Sequence, residues 1–224
     1  LIGEMRLQWW RDTLEGIYGG NVRDHAVARE LADAIRRHDL PRSALERIVD
    51  ARAFDLGDEA PEDRAALATY AEATGGVLSA LAGTICGVPN HDAALSTAGR
   101  AWAYAGLLRA IPFHAARGVC FVPKDALRAH GAPSRPFQEG AGRPDLSGPV
   151  SMMAEEAATL LTEARSAVSA LPKDARPAVA HLAIVPAYLA RLRKRGHDPF
   201  ASGLEPGRLS RQARMLRANM TGKI

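Results

Sequence analysis

The sequence predicts an all-α fold. Alanine recurs throughout, aromatic residues make up only 5% of the chain, and no stretch alternates polar and apolar side chains long enough to build a strand. Hydrophobic residues are 47% of the 224, ample for a buried core in one helical domain.

Each element follows from its own spacing. The first helix is expected from about Leu1 to Ile17, with Met5, Trp9, Leu14 and Ile17 at helical intervals and Gly19 and Gly20 as its stop. A second runs from about Val22 to His38 with Val27, Leu31 and Ile35 on one face. Pro41 suits a first turn and opens a third helix, where Leu45, Ile48, Val49, Arg52 and Leu56 form one stripe until Gly57 and Pro61 end it. The fourth, about Glu62 to Cys86, is expected to turn Leu67, Thr74, Leu78, Leu81 and Ile85 inward. Gly75 and Gly76 in its middle each cost about 1 kcal/mol relative to alanine, so they imply close helix packing or room for a ligand. The fifth, about His91 to Ile111, holds Trp102, Tyr104, Leu107 and Leu108, and Pro112 breaks or kinks it. Four prolines and four glycines make residues 131–149 a loop, expected to be mobile. A sixth helix is expected from Val150 to Leu171 and a seventh from Arg176 to Arg195, bent at Pro186. The tail, 206–224, places Arg208, Arg211, Arg214 and Arg217 every third residue, opposite Leu209, Ala213 and Leu216. With no internal repeat in view, residues 1–224 read as a single domain with a basic tail.

Lys and Arg number 29 against 25 Asp and Glu, with a pI near 9.4. An excess this mild suits an acidic partner such as a phosphate, a diphosphate or an anionic membrane face, and does not indicate nucleic acid. The two cysteines, Cys86 and Cys120, stand in apolar settings that fit reduced thiols of a cytoplasm, not a disulfide framework. The chain opens at Leu1 already in helix, which leads one to expect a piece of a longer or processed protein. No signal peptide is visible, and no apolar run reaches the 18 or so residues that would span a bilayer.

Candidate site residues are few. Trp9 and Trp10 project about 100° apart around a helix, so one is expected to pack while the other lines a cavity or caps a neighbouring helix. Metal chemistry in a helical bundle hangs carboxylates one turn apart on a helix facing a cavity. The dense acidic stretch, Asp55, Asp58, Glu59, Glu62 and Asp63, is broken by Gly57 and Pro61, and its end falls where negative charge complements a helix dipole. It therefore reads as helix-end stabilisation and not as a metal site. The seven histidines are scattered, with no pair at a metal-ligand spacing. Arg191, Arg193, Lys194 and Arg195 and the tail arginines form basic faces suited to solvent, to an anionic membrane or to a partner.

In chain order these pieces resemble the squalene/phytoene synthase family. Trp10-Arg11 with Leu14 is similar to its Trp-Arg-x-x-Leu helix, and Ile48 to Leu56 to its "LIxGxxxDL" segment. Tyr70 with Thr74, Gly75 and Gly76 stands where the family has a tyrosine and a Val-Ala-Gly. Arg117-Gly118 through Phe121-Val122-Pro123, then Asp125, Leu127 and Gly131, is similar to "RGRxYLPxDxLxxxG"; Tyr188 and the turn Gly196 to Phe200 resemble its C-terminal helix and "GxDxF" ending. The resemblance implies an isoprenoid-synthase-like helical bundle around a central cavity. Active members carry two aspartate-rich helices that hold Mg²⁺ against the diphosphates of two prenyl substrates, a task for hard cations on carboxylate oxygens.

By that resemblance the second aspartate-rich motif falls at Arg109 to His114. Its aspartate positions are Ala110, which offers no ligand, and His114, a nitrogen donor ill suited to Mg²⁺; Arg109 and Arg117 are kept, and the first motif is expected upstream of Leu1. The departure is similar to the branch related to the mitochondrial assembly factor of respiratory complex I, regarded as non-catalytic in head-to-head condensation and working at a membrane. The resemblance thus implies a pseudo-synthase without a cofactor, keeping Trp10, Tyr70, Gly75, Gly76 and Tyr188 around a cavity for a prenyl diphosphate or lipid-like ligand. It implies a protein partner, and a cytoplasmic location with peripheral contact at the inner membrane face. The alternative is a transferase condensing two prenyl diphosphates with Mg²⁺, in which Trp10, Tyr70 and Tyr188 line the cavity and Arg109 and Arg117 hold diphosphate.

Overall fold

Among the described residues, ten α-helices are joined by turns and short 3-10 segments, and there is no strand. The structure is a computed structural model that describes residues 1–89, 92–137 and 143–224. The expected helix start at His91 and the middle of the expected mobile loop, 138–142, lie outside them.

Helix α1, Ile2–Tyr18, stops at Gly19 and Gly20, the latter at φ 81. Helix α2 (Ala26–His38) ends on Asp39 in the left-handed region. Helix α3 (Arg42–Ala51) runs into a 3-10 turn, Arg52–Leu56. Asp63 caps α4 (Arg64–Ala71) by accepting from the Ala66 amide at 2.8 Å, so this carboxylate serves a helix end.

A π turn, Glu72–Gly76, joins α4 to α5 (Val77–Ile85), so the expected fourth helix is one rod with an extra residue in its middle. The glycines explain the turn. A Cβ on Gly75 would lie 2.4 Å from the Gly99 carbonyl oxygen of α6 (Asp92–Ala115), and one on Gly99 would lie 2.1 Å from that of Gly75. A Cβ on Gly76 would meet Ser96 Oγ at 2.7 Å. Sequence left close packing or ligand space open at Gly75 and Gly76, and the contact is packing. The inserted residue also turns the later face of the rod: Val77 and Leu81 are buried, while of the residues expected inward Ile85 is exposed and Leu78 stands exposed on the wall of an apolar cleft. Met5 and Val27 are likewise exposed.

Helix α6 passes through Pro112 to Ala115 and does not end at Ile111. Pro112 is exposed and removes one amide in the last turn, too little to stop the helix. Helix α7 (Lys124–Ala129), begun at Pro123, is a short element without a counterpart in the sequence reading. Helix α8 is Ser147–Ser169, opening three residues before the expected Val150. The expected seventh helix is mostly not α: residues 173–184 form two 3-10 segments, and only α9 (Val185–Lys194) is regular. Pro177 interrupts the early part, while Pro186 sits in the first turn of α9, where its missing amide costs nothing. Helix α10 is Arg208–Thr221.

The main core lies between α6 and α8, where Leu95, Ala98, Ala101 and Leu108 meet Val150, Met153, Ala157 and Leu161. Alternating alanine and leucine lets these helices close tightly, each buried leucine contributing about 2 kcal/mol. A second cluster joins α1, α2 and α5 through Ile17, Ala32, Ile35, Val77 and Leu81.

Candidate functional site

Helices α1, α2, α3 and α5 enclose an apolar cleft of about 490 Å³. Leu7, Trp10, Leu31, Leu45, Ile48, Val49 and Leu78 line it, and Arg6, Arg52 and Asp55 are the charged residues in its lining. The two tryptophans divide as helical geometry requires. Trp10 faces the cleft, while Trp9, edge-on to it at 4.9 Å, packs on His25 at 5.0 Å.

At one end of the cleft the 3-10 turn after α3 brings Arg52 and Asp55 together with Tyr70 of α4. The Tyr70 hydroxyl donates to Asp55 Oδ1 at 2.6 Å. Arg52 Nη1 donates to Asp55 Oδ2 at 3.1 Å and to the Tyr70 hydroxyl at 3.0 Å. The triangle is closed, and burial together with the Asp55 carboxylate pushes the Tyr70 phenol well up, keeping it neutral. Behind it Phe54, Tyr70 and Phe121 form an aromatic triad with ring centres 5.5 to 5.6 Å apart. Tyr70 thus borders the cleft through its partners Arg52 and Asp55. Sequence reading placed Arg52 on an apolar stripe and Asp55 in an acidic run; the i, i+3 spacing before Gly57 was the available signal that they pair.

Ala110 and His114 lie one turn apart on α6, both half-buried. His114 stands against Phe121 with ring centres 4.7 Å apart, and its Nδ1 is buried without a hydrogen-bond partner. Burial lowers its pKa, Asp55 opposes this and Arg117 adds to it, so the imidazole is neutral at pH 7. Mg²⁺ seeks six oxygens in near-octahedral array. A methyl group, a neutral imidazole against a phenyl ring and a carboxylate engaged by Arg52 and Tyr70 do not fit it. Among the described residues, no three His, Cys, Asp or Glu side chains converge on a point that could hold a metal ion.

The two arginines expected to hold diphosphate stand in different surroundings. Arg109 Nε donates to Glu205 at 2.5 Å, and its guanidinium lies 5.9 Å from the Trp102 ring centre. Arg117 is exposed beyond the helix end, 3.6 Å from the centre of the Phe113 ring. Tyr188, 1% exposed, is not in the lining of the apolar cleft; its hydroxyl is buried without a partner, and burial, with Glu205 nearby, pushes its phenol up. Both cysteines are free thiols, and burial pushes Cys120 up to about 11, which makes it inert. Glu59 forms ion pairs with Lys124 and Arg135, and Glu62 pairs with Lys124, so within the acidic stretch these and the Asp63 cap serve the surface and a helix end while Asp55 is held in the triangle.

The family model described as squalene/phytoene synthase matches residues 1–217. The chain belongs to the squalene/phytoene synthase family. NADH dehydrogenase (ubiquinone) complex I, assembly factor 6, of Rattus norvegicus is 34% identical to it over 206 residues, 91% of this chain. The chain spans 62% of the length of that relative. The fold is shared with squalene synthase HpnC from Alicyclobacillus acidocaldarius, at a TM-score of 0.76 and 21% identity over 87% of this chain and 74% of that one. It is shared too with a dehydrosqualene synthase crystallised with a ligand, at a TM-score of 0.78 and 17% identity over 96% of this chain and 77% of that one. This family member therefore has the isoprenoid-synthase helical fold, with Ala110 one turn before His114 on α6 and the His114 ring against Phe121.

Proposed function

We propose that this protein has left head-to-head prenyl condensation and works as a binding or assembly-type member of the squalene/phytoene synthase family, in the building of respiratory complex I. The observation that carries the reading is the Ala110/His114 pair: one position has no donor, and the other turns a neutral ring onto Phe121. The relatives named complex I assembly factor 6, matched over 91% of this chain, support the assembly half of it. On this reading the partner is a protein of that complex. The cleft beside Trp10 takes a lipid-like or prenyl chain by apolar burial, with no metal required. The protein stands as a peripheral component at the inner, cytoplasmic face of a membrane.

Incubation of the full-length protein with farnesyl or geranylgeranyl diphosphate and Mg²⁺ tests the first half. No C30 or C40 product is expected; a product that disappears in Arg109→Ala would make the protein a condensing transferase. Deleting the gene tests the second half: assembled complex I falls while squalene and carotenoid content stays level. Unchanged complex I would overturn the assembly role.

A further inference from the structure

Helix α10 turns its apolar side away from the protein. Ala218 is its buried residue, Arg211 and Met215 are half-buried, and it rests on the 3-10 segments between α8 and α9. Arg176 anchors it by donating to the Met220 carbonyl oxygen at 2.7 Å, and Gly222 closes its end in the left-handed region. On the opposite side Leu209, Leu216 and Met220 are 82%, 61% and 68% exposed. At 100° per residue these three fall on one outward line, and Arg208 and Arg217 sit roughly a quarter-turn to either side of it.

We infer that this outward face of α10 is a lipid-contact surface, which lays Leu209, Leu216 and Met220 into the headgroup boundary of an anionic bilayer while Arg208 and Arg217 hold its phosphates. Charge complementarity selects the occupant: residues 206–224 carry Arg208, Arg211, Arg214, Arg217 and Lys223 and no Asp or Glu. Cations flanking a narrow apolar line are what an interfacial helix needs, with the apolar side chains entering the acyl boundary and the arginines meeting headgroup phosphate. A protein partner fits less well. A helix of 14 residues is about 21 Å long, and three side chains along it present far less than the roughly 800 Å² per partner of a stable interface. The inference deepens the peripheral-membrane part of the proposed function and does not depend on the assembly role.

Cosedimentation of the full-length chain with vesicles tests it. Binding is expected to be at least about tenfold tighter to phosphatidylcholine mixed with phosphatidylglycerol than to phosphatidylcholine alone, and to weaken with salt. Leu209→Gln/Leu216→Gln is expected to keep the parent's helix content and melting temperature, because both side chains face water, and to lose about tenfold in vesicle binding. Arg208→Gln/Arg217→Gln should remove most of the preference for anionic lipid. The inference falls if the parent leaves both vesicle types unbound, or if the leucine variant binds as the parent does. It falls equally if the parent is a dimer in sedimentation velocity that the leucine variant splits, since the stripe is then a contact between copies. Vesicle binding that survives alongside unchanged complex I in the deletion strain would separate this surface from the assembly role.

Discussion

The two halves of α6 face their neighbours in opposite ways. In its first half Gly99 meets Gly75 backbone to backbone, closer than any side chain allows. In its last turns Ala110 and His114 are half-buried, the His114 ring stands against Phe121, and its buried Nδ1 goes without a partner. The first contact holds the helices in place and tolerates no atom more. At the second the resemblance expects metal ligands, and the half-buried positions leave more room around each side chain.

The largest effect expected is at the glycine contact. Gly99→Ala should destabilise by about 2–3 kcal/mol, read as a fall in melting temperature of roughly 6–10 °C, because the new Cβ would meet backbone that cannot rotate away. Gly75→Ala should match it, and the double variant should cost less than the sum, since both strain one contact. Tyr70→Phe comes next, at about 1 kcal/mol in denaturant midpoint, because Asp55 and Arg52 keep each other when the hydroxyl is gone. Smallest is Ala110→Asp, within about 0.5 kcal/mol of the parent, since the position is half-buried and the carboxylate can turn to water. A loss at Ala110→Asp as large as at Gly99→Ala would break the contrast between the two halves.

Protonation sharpens the same contrast. His114 and His181 are both lowered from their ordinary 6.5, in each case chiefly by burial. As pH falls below 6.5 the unfolded chain takes up protons before the native chain does, so stability is full above that value and is lost beneath it. Melting temperature measured from pH 7.5 to 5 should therefore fall, and His114→Gln should flatten part of that slope. An unaltered slope would mean that His114 is solvated in the native protein and does not add to the pH dependence.

Much of this was legible in the chain. Leu14, Leu67, Leu108 and Leu160 sit at helical spacing and are all buried, and Gly19 and Asp63 mark helix ends through local chemistry alone. The resemblance puts Ala110 and His114 at the aspartate positions of a family motif, and the chain itself shows that neither is a carboxylate. Other features depended on distant partners. The pairing of Arg52 and Asp55 with Tyr70 joins residues 15 to 18 apart, and the separation of Arg109 from Arg117 needed Glu205. Nothing local says which way such side chains turn.

The tail makes the division plain. By itself the sequence determined that residues 208–220 form an amphipathic helix with arginines on one side and leucines on the other, because a period of 3.6 needs no neighbour. Which side meets water was not in that pattern. The 3-10 segments between α8 and α9, and the hydrogen bond from Arg176 to Met220, took the side of Ala218 and Met215 inward and left the leucines outside. At Gly75 and Gly76, too, packing or ligand space was decided only when α6 came to rest against the π turn. Periodicity is a property of one segment, whereas the facing of a helix and the filling of a gap belong to two.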